Sequence, residues 1–380
     1  MKIAGVWLQA AETQALLGAL TSAGHLALFV GGCVRNAIIG VPVSDIDIAT
    51  DAHPDSVTKI ATSAGFRVAP TGIDHGTVTV IVGGIPHEVT TLRRDLQTDG
   101  RHAVVVYSTD IKEDAARRDF TMNALYARAD GTVIDPLNGL PDVLARRVRF
   151  VGDPNARIAE DYLRILRFFR FHANYGDPGQ GIDADGLAAA ADNLVGLDSL
   201  SRERVGSEMR KLLPAQNPAP ALAAMEQAGV LAHVLPGATA RWIPVLVHFE
   251  AGSPRSWLCR LAVLGGENFT DNLRLSRAEA EGLSQIRAEI ARSTKPDALG
   301  WLYGKAAASD VLHAKAALFE TPLPQNWQDN LMRGANATFP ISAADLMPDL
   351  QGPALGQRLK LLQQRWLATG LILTKADLLA

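Results

Sequence analysis

The strand period stops about a third of the way along this chain. Before residue 142, short β-branched runs alternate with helix-period segments; beyond it, every periodic segment repeats at helical spacing. Such a chain is expected to be a multi-domain α+β protein. An N-terminal domain would be built on a mixed or antiparallel sheet, followed by an all-helical remainder. Domains are expected over 1–140, 141–212 and 213–380, and 380 residues are ample for more than one core.

The spacing predicts helices over 6–23, 34–39, 54–64 and 114–126, the third capped by Asp51 or His53. It predicts strands over 26–30, 45–49, 66–68, 76–82, 87–92 and 132–136, with Gly83-Gly84 turning a hairpin. The polar stretch 93–107, with Asp99-Gly100 inside it, reads as a flexible loop able to close over a substrate. Further helices are expected over 158–173, 184–194, 201–213, 219–228, 257–264, 277–293, 308–319 and 355–368.

Thirty-seven basic residues against 40 acidic ones give a net charge of −3, so any nucleic-acid site must be a local basic patch. Two cysteines, Cys33 and Cys259, without CxxC spacing, imply neither a disulfide partner nor a cysteine zinc site. The first 20 residues lack the basic start, apolar core and cleavage site of a secretory signal. No run of about 18 apolar residues occurs. No membrane association is expected, and the cytoplasm is the expected location. His25, His53, His75 and His87 read as surface or capping residues, and the tryptophans as helical core.

Candidate chemistry begins at Leu28-Phe29-Val30-Gly31-Gly32-Cys33-Val34-Arg35-Asn36, an apolar run ending in two glycines and opening a helix. Without a Cβ, Gly31 and Gly32 let backbone N–H groups approach phosphate, and Arg35 adds a charge-assisted bond. By itself this is also a simple strand-to-helix turn. In Asp45-Ile46-Asp47-Ile48 the two carboxylates share one strand face, a single pleat apart. Glu88, inside the alternating His87-Glu88-Val89-Thr90-Thr91, is a third carboxylate in a β-rich run. Three such groups suit Mg²⁺-dependent two-metal phosphoryl transfer.

Two later blocks carry further polar groups. In Arg117-Arg118-Asp119-Phe120-Thr121-Met122-Asn123 two readings stand: a charged, capped helix start, or Arg118 on a triphosphate with Asp119 and Asn123 fixing a ribose or the loop. In Glu160-Asp161-Tyr162-Leu163-Arg164-Ile165-Leu166-Arg167-Phe168-Phe169-Arg170-Phe171 a helix would spread Asp161, Arg164, Arg167 and Arg170 over half its circumference. Tyr162, Ile165, Leu166 and Phe169 would face the core. Asp161 and Arg164 would be surface neighbours, an acceptor beside a donor. The pairing edges of C and A offer the complementary order and those of G and U the reverse, so one pair could accept two bases and reject two. Arg202, Arg204, Arg210 and Lys211 read equally as phosphate contacts or as a solvated helix face.

Together with Glu88-Val89-Thr90-Thr91-Leu92-Arg93, Asp99-Gly100-Arg101-His102 and Asp135-Pro136-Leu137-Asn138-Gly139, these blocks in this order resemble the class II tRNA nucleotidyltransferases, the CCA-adding enzymes of the nucleotidyltransferase/poly(A) polymerase superfamily. They cover residues 28–171; the chain beyond 211 adds only helical character. The resemblance implies a seahorse-like molecule of head, neck, body and tail. It implies Mg²⁺ on Asp45 and Asp47, with Glu88 as third carboxylate, and Gly32, Arg35 and Arg118 on ATP or CTP. Asp161 and Arg164 would read the base, assisted by Arg167 and Arg170. The body and tail would hold the tRNA acceptor and TΨC arms, in a monomer or homodimer, and the 91–107 loop would help switch specificity from C to A. The implied reaction is template-independent addition of CMP, CMP and AMP to tRNA 3′ ends. Poly(A) polymerase and CC- or A-adding activity are neighbouring alternatives, and a non-catalytic RNA-binding protein is a more distant one. The chain departs from the family pattern at Asn36, where the family has Asp. No HD phosphohydrolase motif is present.

Overall fold

The computed structural model describes residues 1–69, 72, 76–99 and 102–380, with backbone alone at 95–99 and 102–105. The chain divides into two compact units, Met1–Arg204 with Gln227–His233, and Val205–Glu226 with Val234–Ala380.

Among the described residues nine strands belong to the first unit: β1 (Leu28–Val30), β2 (Asp47–Thr50), β3 (Arg67–Ala69), β4 (Thr77–Val82), β5 (Ile85–Thr91), β6 (Arg93–Asp99), β7 (His102–Tyr107), β8 (Tyr126–Ala127) and β9 (Val133–Ile134). Seven of them form one mixed sheet in the order β3-β4-β5-β2-β1-β8-β9. β2 and β5 run parallel, and the other pairs of this sheet are antiparallel. The period-2 rule divides β1: Leu28 and Val30 join a buried cluster with Ala49, Leu92 and Tyr126. Phe29 turns the other way, edge-on to Trp7 at 4.9 Å. Helices Ala11–Ser22 and Pro54–Ser63 pack on each other and on β4. Leu16, Leu17 and Leu20 are at most 1% exposed. Fully burying each such side chain contributes about 2 kcal/mol.

Six sequence expectations change in this unit. The 6–23 helix is interrupted at Ala10, whose ψ of 132° is extended. The 93–107 stretch is a hairpin, β6 with β7, rather than a loop; the Ala103-Val104-Val105-Val106-Tyr107 run supplies the β propensity that its polar first half hides. The expected 114–126 helix stops at Ala116. Thr121 N instead donates to Arg149 O and Val151 N to Asp119 O, so the backbone pairs across chain rather than along it. The 158–173 helix is two, Pro154–Glu160 and Leu163–Tyr175, split where Asp161 is extended (φ −157°). Finally, His53 makes no side-chain cap bond, while Asp51 accepts from His25 and from Leu26 N. His87, expected at the surface, is fully buried and bonded to Thr13 Oγ1 at 3.0 Å; His75 lies outside the described residues.

The second unit is helical. Its longest helix, Pro296–Leu318, starts earlier than the spacing predicts and kinks at Gly304 (φ 73°). It crosses Trp327–Ala335 backbone to backbone: a Cβ on Gly300 would lie 2.2 Å from Leu331 O, and one on Gly334 1.8 Å from Asp297 O. Gly300→Ala is therefore expected to lose about 1–3 kcal/mol, read by urea denaturation of the full chain. Arg260, 1% exposed, donates Nε and Nη2 to Glu250 Oε2 (2.9 and 2.8 Å) and Nη1 to Ala215 O (2.5 Å) and Leu213 O. Of the tryptophans expected in the core, Trp366 is buried, packed with Ile341, Leu362 and Leu378; the others are half-buried. Among the described residues no helix is long and apolar enough to cross a membrane.

Candidate active site

The site starts where β1 ends. Gly31 has φ 70° and ψ −118°, a conformation only glycine adopts easily, and its N–H donates to Leu125 O at 3.0 Å. A Cβ there would lie 3.2 Å from Arg118 Nη1, so the turn is the surface on which that guanidinium rests. Gly32 opens the helix Gly32–Ile39, whose first bond runs from Arg35 N to Gly31 O. Cys33 Sγ donates to Val30 O at 3.3 Å and lies 3.7 Å from Asp47 O, which holds this helix against β2. Burial pushes the thiol up to about 11, so it remains protonated.

β2 begins at Asp47, two residues later than expected, because 41–46 make no ladder. The parallel register places Asp47 directly beside Glu88. Burial first, then the Glu88 charge, raises the Asp47 carboxyl to about 6; Arg118 and Arg35 act in the opposite direction. Asp45 lies outside the strand, exposed, accepting from Ser44 Oγ at 3.1 Å. Among the described residues no three His, Cys, Asp or Glu side chains are gathered closely enough to hold a metal. The expected Asp45–Asp47–Glu88 cage is thus not closely gathered; the register joins Asp47 to Glu88, while Asp45 precedes the strand, near enough for its charge also to raise the Asp47 carboxyl. This donor set still fits a hard cation. Mg²⁺ takes one or two carboxylates and completes its shell with water and substrate phosphates, and Asp47 is held at a pKa that a nearby cation would lower.

The Arg117–Asn123 block works without a continuous helix. Asp114, 1% exposed, accepts from Arg117 Nε (2.8 Å), Arg118 Nη2 (2.9 Å) and Tyr126 OH (2.6 Å). Burial opposes ionisation of Asp114, but the two guanidiniums outweigh it and hold the carboxyl near about 2. Asp119 accepts from Asn123 Nδ2 (2.9 Å) and from Arg167 Nε and Nη2 (2.8 and 2.5 Å). Burial raises it, but Arg167 outweighs that and holds it below the usual carboxylate range. Asn123 Oδ1 in turn accepts from Arg35 Nη1 at 2.5 Å. Gly31, Arg35, Arg118, Asn123, Asp119 and Arg167 therefore form one connected group, which ties the glycine turn to the helix Leu163–Tyr175. Arg170 lies over Phe171 at 4.6 Å on the same helix.

Asp161 and Arg164 are not helical neighbours, and their side chains have different partners. Asp161 accepts from Leu163 N (3.1 Å) and Arg204 Nη2 (2.6 Å). Arg164 Nη1 donates to Arg157 O (2.8 Å) and to Glu160. Arg157 also donates to Glu160 (2.6 Å), to Arg118 O (2.9 Å) and to Ala116 O. Sequence reasoning missed Asp114, Arg157, Glu160 and Arg204 as holders of site residues. For Arg204 no local signal exists, since its partner lies 43 residues upstream. Arg204→Ala is expected to release Asp161 and raise the KM of both nucleotides about tenfold, through loss of a charge-assisted bond, with the melting temperature little changed. Steady-state kinetics beside a thermal melt check this.

Comparisons with known proteins identify the family of the chain. Residues 27–149 match the poly A polymerase head domain, and 181–241 match a probable RNA and SrmB-binding site of polymerase A. The chain is 44% identical over 190 residues to CCA tRNA nucleotidyltransferase 1, mitochondrial, of Homo sapiens, a match covering 50% of this chain and 44% of the human protein. It is 33% identical over 381 residues to the enzyme of the same name from Danio rerio, covering 92% of this chain and 85% of that one. Among solved structures, the Bacillus stearothermophilus CCA-adding enzyme in complex with CTP is similar with a TM-score of 0.79 and 28% identity, over 94% of this chain and 92% of that one. With its mixed-sheet head, its helical remainder and this site, the chain belongs to the class II CCA-adding tRNA nucleotidyltransferases.

Proposed function

We propose that this chain adds CMP, CMP and AMP to the 3′ end of tRNA from CTP and ATP, without a nucleic-acid template. The observation that carries the reading is the connected group running from the glycine turn to the helix Leu163–Tyr175. It ties the glycine turn to the helix that carries Arg164, Arg167 and Arg170, and its members Arg35 and Arg118 lie near enough to Asp47 to act on that carboxyl. Arg35 and Arg118 bind the triphosphate, and Gly31 and Gly32 let it approach the backbone. Asp45 and Asp47, with Glu88, would hold Mg²⁺, which when bound lowers the pKa of the primer 3′-hydroxyl and neutralises charge on pyrophosphate. Asp161 presents its remaining lone pairs, and Arg164 its Nε and Nη2 donors, to the base edge. Arg204, Glu160 and Arg157 fix both side chains before the nucleotide arrives, so little ordering is left for the binding step.

Residues 1–140 are assigned to catalysis, 141–212 to recognition of the nucleotide base, 213–380 to the tRNA acceptor and TΨC arms, and the β6–β7 hairpin to the change from C to A. The location is the cytoplasm, and the active form a monomer or homodimer. The test is incubation of the purified protein with tRNA lacking CCA, with tRNA ending in CC and with unstructured RNA, each with CTP or ATP. The reading requires CTP use on the first and ATP use on the second. Long adenylate tails on all three RNAs from ATP alone would instead indicate a poly(A) polymerase, and failure to use CTP would remove the reading.

A further inference from the structure

Asn36 stands where the family pattern has Asp, and its contacts give that difference a consequence. Its Oδ1 accepts from Arg35 Nε at 3.1 Å and from Arg35 Nη2 at 2.8 Å, while its Nδ2 donates to Pro42 O at 2.9 Å. The amide orientation is fixed by these neighbours: reversed, its NH₂ would face guanidinium N–H groups and its oxygen a carbonyl. A carboxylate could make the first two bonds but not the third.

The remaining contacts of Arg35 are also uncharged. Nη1 donates to the Asn123 amide, and the guanidinium lies 3.8 Å over the Tyr175 ring and 5.3 Å over Phe171. Arg35 is 5% exposed. Two carboxylates lie near enough to act on its charge, Asp47 and Asp119, but neither is bonded to it, and Asp119 is held by two bonds from Arg167. Among the described residues, Arg35 is thus a buried cation whose hydrogen-bond partners are two neutral amides. Burying a cation with no anion bonded to it is costly, and an arriving anion recovers part of that cost.

We infer that Asn36 is a positioning residue for triphosphate binding: it aims the Arg35 guanidinium without adding a charge that pairs with it, and it ties that guanidinium to the 41–46 segment, which carries Asp45 and leads into Asp47. An aspartate at 36 would hold the guanidinium equally well but pair with it, so a polyphosphate would have to compete with a carboxylate already in place. Asn36 therefore gives this chain tighter binding of both triphosphates, and of the pyrophosphate product, than the acidic residue would. The inference rests on the assignment of Arg35 to the triphosphate.

The test measures KM and kcat for CTP on tRNA lacking CCA and for ATP on tRNA ending in CC, with inhibition by inorganic pyrophosphate and a thermal melt. Wild type is compared with Asn36→Asp, Asn36→Ala and Arg35→Ala. Asn36→Asp is expected to fold and to raise both KM values and the pyrophosphate inhibition constant by a similar factor, about 5- to 20-fold, with kcat within about twofold. Asn36→Ala, which adds no charge, is expected to raise them less. Equal effects of Asp and Ala, an effect on one nucleotide alone, unchanged constants in Asn36→Asp, or its failure to fold would each overturn the inference. Unchanged KM values in Arg35→Ala would instead overturn the triphosphate assignment beneath it.

Discussion

Asp47→Asn is expected to lower nucleotide incorporation about 10³-fold, the roughly 4 kcal/mol that metal-assisted charge stabilisation supplies, while making the metal-free protein more stable. Both effects follow from the parallel register that sets Asp47 beside Glu88. The carboxyl titrates near about 6 in the fold against an ordinary 3.8, so its ionised form is disfavoured by folding. Between those two values the folded state binds more protons than the unfolded one, and stability falls as pH rises. The penalty is absent below about pH 4 and complete above about pH 6. For a half-buried, partly screened group it amounts to about 1–2 kcal/mol. With chelator present, the melting temperature of Asp47→Asn should therefore match wild type near pH 4 and exceed it at pH 7. Added Mg²⁺ should stabilise wild type and not the variant.

Glu250→Ala should lose about 3–5 kcal/mol, because it leaves the Arg260 guanidinium buried without a counter-charge. Glu250 is 4% exposed and, among the described residues, is the one carboxylate bonded to Arg260, whose other acceptors are the carbonyls of Leu213 and Ala215. The loss should appear as early melting of the second unit. A double change of Glu250 and Arg260 to Leu and Met should recover most of it, since apolar replacement of a buried ion pair is often neutral. If the single variant melted like wild type, the pair would contribute no more than a surface contact.

The elements the sequence made legible are those set by local chemistry. The Gly31-Gly32 turn, the Gly83-Gly84 hairpin and the helix Trp257–Leu264 lie where glycine and periodicity place them. The failures occur where distant groups take over the backbone. The 114–126 segment has helical spacing, but Arg149 and Val151 claim the bonds of Asp119 and Thr121. The 158–173 segment has helical spacing too, yet Asp161 caps the following helix with its own side chain and ends the preceding one. In the site, the polar residues were identifiable by type, but their partners were not. Arg167 with Asp119 spans 48 residues, and Arg204 with Asp161 spans 43. No periodicity reports on bonds of that range. His87 illustrates the same point: a polar residue in a strand gave no sign that Thr13, 74 residues earlier, would bond its Nε2 in the core.

Arg164 is joined through Glu160 and Arg157 to Arg118 beside the glycine turn, and Asp161 is held by Arg204. Whether these side chains, rather than a template, choose the base is read by single-turnover incorporation of each of the four nucleotides into tRNA lacking CCA, by wild type and by Asp161→Asn. Wild type is expected to prefer CTP to UTP by about 10⁴-fold, the scale set by leaving buried hydrogen-bonding groups unpaired. Asp161→Asn is expected to lose at least about 10²-fold of that preference while still binding inorganic pyrophosphate as wild type does. Unchanged discrimination in Asp161→Asn would overturn base choice by this side chain.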